Sequence, residues 1–286
     1  MIREVKNQKE WDDLVEHLGG HPLQKWAWGE LKSNHGSWQP VRIAIVKGDK
    51  AIGGAQILIR KLPGKLGRMA YVPRGPFASA SDRTDVLNEA GKYAEGLSVI
   101  ELKIEPDWQD FSDWPRDWRH SKNRVLLAKT GMIDLGRDAS QIQSDFAKKT
   151  RQYIRKSEHN GVTIRKISLI KDIEKCLDIY DDTARRAKFA LHDRDYYRDL
   201  AEKTDYNQIY LAEIDGRPLS FLWNVRTKAT EFELYGGVNQ SGQDLRANYI
   251  LKWHAISEAK NADVKTYDMN GLLNDGVSNF KRGFIT

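Results

Sequence analysis

The stretch of this sequence best suited to chemistry is a polar loop between a predicted strand and a predicted helix, within residues 232–259. Apolar and polar side chains alternate over residues 232–235 and predict the strand, while residues 245–256 carry apolar side chains at helical spacing. Gly236–Gly237 and residues 239–242 supply turn residues between them. Because unpaired backbone N–H groups point outward at the start of a helix, this loop could bind an anion or an acyl carbonyl.

A second candidate is the basic window at residues 139–166, which contains a predicted helix ending near Gly161. Lys148, Arg151 and Arg155 fall near one face of that helix. Such a ridge could bind the phosphates of a nucleic acid, and the net charge of +6 is compatible with a polyanionic partner. On spacing alone, a solvated linker helix is the preferred interpretation and the phosphate-binding ridge is the alternative.

Metal and thiol chemistry are not favoured. His17 and His21 are four residues apart, but Gly19–Gly20 breaks the helix that would align them on a metal, so both are predicted to be surface histidines. The other histidines are scattered, and no metal site is predicted. The single cysteine, Cys176, lies on the apolar face of a predicted helix and is expected to be a buried thiol rather than a nucleophile.

The elements that must position these residues occur in a similar order in each half of the chain. The first half comprises predicted helices within residues 7–35, a hairpin at 41–59, a strand at 69–76, a helix at 84–95 and a strand at 98–105. The second half comprises predicted helices at 169–188 and 196–203, a hairpin at 209–225, the strand and helix of 232–259, and a strand at 264–269. This repeat predicts an α/β (α+β) fold with two tandem domains, residues 1–138 and 139–286, each with a mixed sheet.

Composition supports a globular protein. The chain has 286 residues, of which 40% are hydrophobic and 30% charged, so each domain can bury a core of its own. No apolar run approaches the roughly 20 residues that span a bilayer, and the N-terminus does not resemble a signal peptide. With one cysteine, no internal disulfide can form, and a cytoplasmic location is expected.

The predicted strand, loop and helix are similar to those of an acyl-CoA acetyltransferase (GNAT) domain. Residues 241–248 nevertheless lack the paired small residues with which such a loop holds a pyrophosphate. Two such domains with degenerate loops resemble the Fem family (FemABX) of peptidoglycan-bridge aminoacyltransferases. The resemblance covers nearly the whole chain and rests on six groups of residues in the family's order: Leu23-Gln24 with Trp28, Lys32 and Trp38-Gln39-Pro40; Tyr71 to Pro76; Arg151 with Ile154-Arg155-Lys156 and Gly161-Val162; Phe189 with His192 to Tyr197; Tyr235-Gly236-Gly237 with Ala247-Asn248 and Leu251 to Trp253; and Tyr267 to Gly271 with Gly276-Val277, Asn279-Phe280-Lys281 and Gly283-Phe284.

The resemblance implies that an amino acid passes from aminoacyl-tRNA to the side-chain amine of the third residue of the peptidoglycan stem peptide. Aminoacyl-tRNA would be a co-substrate, no cofactor would be needed, and the acceptor would be UDP-MurNAc-pentapeptide or lipid II. Little chain separates the helix ending at residue 203 from the strand at 209, so we expect no coiled-coil arm, as in the FemX-like members. A monomer without membrane insertion, cytoplasmic or at the inner face of the membrane, is expected. The alternatives are an acyl-CoA-dependent N-acyltransferase and a tRNA-binding module without catalysis.

The resemblance also assigns residues. It implies that Lys281 stabilises the oxyanion or holds the tRNA end, and that Glu105 could be a general base. Lys32 would bind the diphosphate of the acceptor. The remaining residues implied in substrate binding are Arg74, His192, Arg194, Tyr196, Tyr235, Asn248 and Phe280, and those implied in tRNA binding are Lys148, Arg151 and Arg155. Without the resemblance, Lys281 would be interpreted as a surface lysine.

Overall fold

The computed structural model describes residues 1–109, 111–272 and 276–285. The chain divides into two compact units, Met1–Leu126 and Leu127–Thr286. This division falls earlier than residue 138, where the repeat suggested it. The reason is the strand Thr130–Asp134, which pairs antiparallel with a strand near the end of the chain and so belongs to the second unit.

The first unit is built on a six-stranded mixed sheet. Its elements are β1 (Ile2–Glu4), α1 (Gln8–His17), α2 (Trp26–Gly36), β2 (Gln39–Lys47), β3 (Lys50–Lys61), β4 (Arg68–Pro73), β5 (Phe77–Ala78), α3 (Arg83–Glu95) and β6 (Glu101–Glu105). The strand order is β1-β2-β3-β4-β6, with β5 paired to β3, and only the β4–β6 pairing is parallel among these strands. The predicted hairpin is confirmed, and Gly48 supplies the positive φ of its turn.

The two helices before the hairpin form as predicted, but one histidine does not lie where the sequence suggested. His21 is fully buried, whereas His17 is exposed as expected. The break at Gly19–Gly20 turns the chain inward, and Nδ1 of His21 accepts a hydrogen bond from the backbone N–H of Leu23 at 3.1 Å. Burial lowers the pKa of His21 well below its usual value, which suits a neutral ring that accepts this bond.

The second unit has its own six-stranded sheet, in the order β7-β12-β11-β10-β9-β8. Its elements are β7 (Thr130–Asp134), α4 (Ala139–Asp145), α5 (Lys148–His159), β8 (Thr163–Lys166), α6 (Ile170–Ala187), α7 (Arg194–Lys203), β9 (Asn207–Ile214), β10 (Arg217–Arg226), β11 (Thr230–Val238), α8 (Gln240–Asp244), α9 (Ala247–Asn261), β12 (Thr266–Gly271) and α10 (Gly276–Arg282). Helix α5 ends as predicted, with Gly161 at positive φ beyond it.

The two sheets repeat one pattern of pairing, which confirms the tandem mixed-sheet architecture. In the first unit β2–β3 and β3–β4 are antiparallel and β4–β6 is parallel; in the second, β9–β10 and β10–β11 are antiparallel and β11–β12 is parallel. Helix α7 passes to β9 without a coiled-coil arm between them. Cys176 is buried in α6, and burial raises the pKa of its thiol. Among the described helices, none is long and apolar enough to cross a bilayer.

The strand, loop and helix of residues 232–259 differ from their prediction in two details. Gly236 and Gly237 do not form a turn but lie within β11, paired with Leu222 and Phe221. A Cβ at Gly237 would lie 2.9 Å from Oγ1 of Thr183 on α6, so the glycine allows this helix to pack closely. The polar loop is also largely helical: it forms α8, whose first turn is capped by the side chain of Asn239.

Candidate active site

The second unit contains a cavity of about 800 Å³ where its two parallel strands stop pairing. The register between β11 and β12 runs from Thr230–Thr266 to Phe232–Asp268. Beyond it, residues Glu233–Val238 of β11 line the cavity. A parallel pair with a helix on its face commonly places a ligand site at the carboxyl end of its strands, because side chains and backbone groups converge there.

Of the residues to which the family resemblance assigns a role in the site, four line this one cavity: Tyr235, Asn248, Phe280 and Lys281. They come from three elements of the second unit, since Tyr235 is on β11, Asn248 is in the first turn of α9, and Phe280 and Lys281 are on α10. Nζ of Lys281 donates a hydrogen bond to the carbonyl oxygen of Gly271 at 3.1 Å, which holds the ammonium group at the wall. The cavity therefore combines a cation, an amide and a phenol with an apolar lining.

Tyr196 joins the site through Tyr235. Their hydroxyl oxygens are 3.1 Å apart, and the ring of His192 stacks on that of Tyr196 with 4.0 Å between centroids. The rings of Tyr180 and Tyr197 pack around the same pair. Burial raises the pKa of both Tyr196 and Tyr235, so the two phenols stay neutral and act as hydrogen-bonding groups. His192 itself is exposed.

Arg194, which the resemblance implies in substrate binding, lies among carboxylates. Its guanidinium donates to Glu174 and Asp178, each at 2.8 Å, and to Asp181. These bonds tie α7 to α6 and raise the pKa of Arg194. Three acidic partners already neutralise this cation, so its position indicates a structural link between the two helices.

Sequence reasoning missed a buried ion pair in the cavity wall. Nζ of Lys252 on α9 donates to Oε1 of Glu233 on β11, and the hydroxyl of Tyr267 donates to the same oxygen at 2.9 Å. Lys252 is 3% exposed and Glu233 is 6% exposed. Burial lowers the pKa of Lys252, although Glu233 opposes this effect. The signal was present in the sequence, because Lys252 interrupts the apolar stripe of its helix between Tyr249 and Ile256.

Aromatic rings lead from the basic helix α5 to the cavity. The ring of Tyr153 on α5 lies 4.9 Å from that of Tyr249, which lies 4.8 Å from that of Phe280. The guanidinium of Arg246 sits 4.8 Å from the Tyr153 ring, and Nζ of Lys149 sits 5.6 Å from it. We call this series, from Tyr153 through Tyr249 to Phe280, the aromatic ladder.

The three basic residues predicted to bind tRNA are not equivalent in the structure. Lys148 and Arg155 are exposed on α5. Arg151 is half-buried and donates to the backbone carbonyl oxygens of Ser144, at 2.7 Å, and Phe146. Lys148 and Arg155 are thus accessible to a polyanion, whereas Arg151 also forms hydrogen bonds to the C-terminal end of α4.

The first unit gathers its own predicted residues near β4 and β6. Both carboxylate oxygens of Glu105 accept hydrogen bonds, from the hydroxyl of Tyr71 at 2.5 Å and from the backbone N–H groups of Val125 and Leu126. Glu105 therefore anchors a loop in this structure. Burial and the neighbouring Glu105 raise the pKa of the Tyr71 hydroxyl. Arg74 acts in the opposite direction but does not cancel this effect. Arg74 is buried and adopts a positive φ after β4.

Lys32 lies on α2 with its Nζ 4.4 Å from the centre of the Trp28 ring. Burial of this ammonium lowers its pKa to about 8, from an ordinary value of 10.5.

Comparison with known proteins agrees with this architecture. Residues 7–115 match the FemAB family, and residues 144–282 match an acetyltransferase (GNAT) domain. Lipid II:glycine glycyltransferase of Staphylococcus aureus is 23% identical over 290 residues, covering 95% of this chain and 64% of the relative. The chain thus spans less than two thirds of the length of that relative.

Solved structures show the same fold. The crystal structure of FemX has a TM-score of 0.84 at 17% identity, covering 99% of this chain and 94% of FemX. A tandem GNAT protein from the clavulanic acid biosynthesis pathway has a TM-score of 0.51 at 10% identity, covering 99% of this chain and 94% of that protein. The fold and the two mixed sheets define a tandem GNAT-like protein. The FemAB match, the staphylococcal relative and the likeness to FemX together support a Fem family member.

Proposed function

We propose that this protein transfers an amino acid from aminoacyl-tRNA to the side-chain amine of the third residue of the peptidoglycan stem peptide. The observation that carries the proposal is the convergence of Tyr235, Asn248, Phe280 and Lys281 on one cavity of the second unit. The name of the staphylococcal relative supports the acceptor class, since that protein is called a lipid II:glycine glycyltransferase. UDP-MurNAc-pentapeptide and lipid II are both candidate acceptors for this chain.

The chemistry of the reaction fits the residues of the cavity. The ester of aminoacyl-tRNA is already activated, so attack by an amine needs no covalent enzyme intermediate and no cofactor. The site has to orient the amine and stabilise the oxyanion that forms on the ester carbonyl. The ammonium of Lys281, held by the carbonyl of Gly271, would supply that stabilisation. Tyr235 and Asn248 would orient the substrates by hydrogen bonds.

The aromatic ladder supports a single-stranded RNA end as donor. Stacking on aromatic rings combined with a basic groove is how proteins hold single strands without reading their sequence. The exposed Lys148 and Arg155 would bind the backbone phosphates of the tRNA, and the ladder would guide its end toward Lys281.

The Fem-type reaction is tested by incubating the chain with charged tRNA and either UDP-MurNAc-pentapeptide or lipid II, followed by mass spectrometry of the acceptor. The expected product carries one added amino acid on the stem peptide. A chain that binds tRNA equally well with and without the amino acid, and never extends either acceptor, would instead be an RNA-binding module.

An acyl-CoA-dependent N-acyltransferase is the second candidate, because the fold is GNAT-like. The loop before α9 argues against it. Residues 240–244 are helical, and Arg246 at positive φ carries its long side chain over Tyr153. Glycine would be expected where a backbone must approach a pyrophosphate. Tight binding of acetyl-CoA in a calorimeter would favour this candidate.

Removal of the outer ring of the ladder is expected to weaken RNA binding. Tyr153→Ala deletes one stacking surface and should reduce affinity for a short single-stranded RNA ending in CCA by about 1 to 3 kcal/mol. Fluorescence anisotropy at fixed salt measures the effect. Tyr153→Phe keeps the ring and should bind as the wild type does. Equal loss in both variants would show that stacking is not the cause.

Binding of the acceptor nucleotide is expected to weaken as the pH rises through about 8, because Lys32 then loses the proton that makes it a cation. Titration calorimetry with UDP-MurNAc-pentapeptide on either side of that pH measures the change. In Lys32→Met the affinity should be lower at neutral pH and largely independent of pH in this range. A pH profile that survives the substitution would remove Lys32 from the binding site.

A further inference from the structure

Acyl transfer from an ester to an amine also needs a proton acceptor, and the cavity wall contains a carboxylate that is built for that task. Oε1 of Glu233 is held from two sides, by Nζ of Lys252 and by the hydroxyl of Tyr267 at 2.9 Å. Its second oxygen, Oε2, accepts no hydrogen bond from the residues that the structure describes. Glu233 lines the cavity together with Lys281. One oxygen is therefore anchored, and the other has no hydrogen bond from the described residues of the cavity wall.

We propose that Glu233 is the proton acceptor of the transfer reaction and that Lys252 and Tyr267 position it. This proposal rests on the function proposed above. Once the acceptor amine has lost its extra proton to solvent, its nitrogen attacks the ester carbonyl carbon. The C–N bond forms, the carbonyl electron pair moves to oxygen beside Lys281, and one N–H proton passes to Oε2 of Glu233. As the intermediate collapses, the bond to the tRNA ribose oxygen breaks, and Glu233 returns that proton to the departing oxygen.

The geometry favours Glu233 over Glu105, the base that the family resemblance suggested. Both carboxylate oxygens of Glu105 accept hydrogen bonds within its own unit, from the hydroxyl of Tyr71 and from the N–H groups of Val125 and Leu126. Glu233, by contrast, shares its cavity with the proposed oxyanion ligand, Lys281. General acid–base groups need to lie within hydrogen-bond reach of the reacting proton, so a carboxylate in the cavity wall meets the first requirement.

The charged surroundings of Glu233 come from four elements. The groups that face it are Lys252 on α9, Tyr267 on β12, Glu231 on its own strand and, beyond Lys252, Lys281 on α10. Glu231 has its own partner, since Nε of Arg226 donates to it at 2.5 Å. The Lys252 ammonium is thus the counter-ion of Glu233 and holds its Oε1 in place.

The test is the single-turnover rate of transfer from charged tRNA as a function of pH in Glu233→Gln. We expect the rate near neutral pH to fall by about 100-fold or more, which is the usual contribution of a positioned acid or base. The difference in rate between Glu233→Gln and the wild type should become smaller at higher pH, because hydroxide then accepts the proton in place of the missing carboxylate. Glu202→Gln makes the same change at an exposed position of α7 and should react as the wild type does.

A second variant separates catalysis from folding. Glu233→Gln/Lys252→Met removes both charges of the pair, so it should melt close to the wild-type temperature while its transfer rate stays low. Recovery of the transfer rate in this double variant would overturn the proposal. So would a wild-type rate in Glu233→Gln, or a pH profile of that variant that runs parallel to the wild-type profile. A wild-type chain that transfers nothing from charged tRNA to either acceptor would overturn the proposed function itself, and this inference with it.

Discussion

Replacement of Lys281 by alanine is expected to slow aminoacyl transfer by about 100- to 1,000-fold, which corresponds to roughly 3 to 4 kcal/mol of barrier. The physical reason is the loss of a preorganised cation at the oxyanion. Nζ of Lys281 is held by the carbonyl oxygen of Gly271 at 3.1 Å, inside a cavity whose apolar rings limit screening by water. The effect should fall on the chemical step, because the ester carbonyl becomes strongly negative only in the transition state.

Single-turnover kinetics with charged tRNA and UDP-MurNAc-pentapeptide would measure this change. The next residue offers a matched control, since Arg282 is on the same helix but exposed, and Arg282→Ala should retain the wild-type rate. Binding of RNA by Lys281→Ala should be measured in parallel. A rate loss explained entirely by weaker RNA binding would assign Lys281 to the tRNA end, and an unchanged rate would remove it from the site.

The second large effect is on stability. Lys252→Ala leaves the Glu233 carboxylate buried without its cation, and loss of one partner of such a pair costs about 3 to 5 kcal/mol. The neighbouring Phe280 and Phe284 rings, 5.3 Å and 5.8 Å from Nζ, would also lose contact with the lysine. We therefore expect a clear fall in the melting temperature of the second unit.

Thermal unfolding followed by calorimetry would show this fall. Lys252→Met/Glu233→Gln is the matched comparison, because it replaces both charges with side chains of similar size, and it should recover most of the lost stability. The exposed pair of Lys203 and Asp199 provides the opposite control, since Lys203→Ala at the surface should have almost no effect. Equal melting temperatures for Lys252→Ala and the wild type would show that the Lys252–Glu233 pair does not stabilise the fold.

The loop before α9 is the part of this GNAT-like fold that would distinguish the proposed RNA donor from coenzyme A. A loop that binds a pyrophosphate brings its backbone close to the phosphates. This chain instead has α8 and the guanidinium of Arg246 at that position. Nε of Arg246 is buried without a hydrogen-bond partner among the described residues. A guanidinium beside the Tyr153 ring suits phosphate or a stacked base, which agrees with the proposed RNA donor.

Much of the architecture was predictable because it depends on local patterns. Alternating residues in the two hairpins, the glycine breaks near residues 19 and 161, and the helical spacing of α6 and α9 all predicted elements that form within a few residues of their expected bounds. The repeated order of these elements predicted two mixed sheets. The family order of motifs also singles out Tyr235, Asn248, Phe280 and Lys281, which the structure brings to one cavity.

Tertiary structure alone decided the contacts between distant segments. The division after Leu126 depends on β7, which pairs Asp134 with Thr266 across the whole second unit. In the same way, Glu233 meets Lys252 only because α9 packs on the open end of β11. A lysine in an apolar helical stripe and a glutamate in a strand each follow ordinary local rules, and sequence spacing does not encode which buried charges will face each other. That depends on how the helix lies on the sheet, because desolvation and charge pairing act through space rather than along the chain.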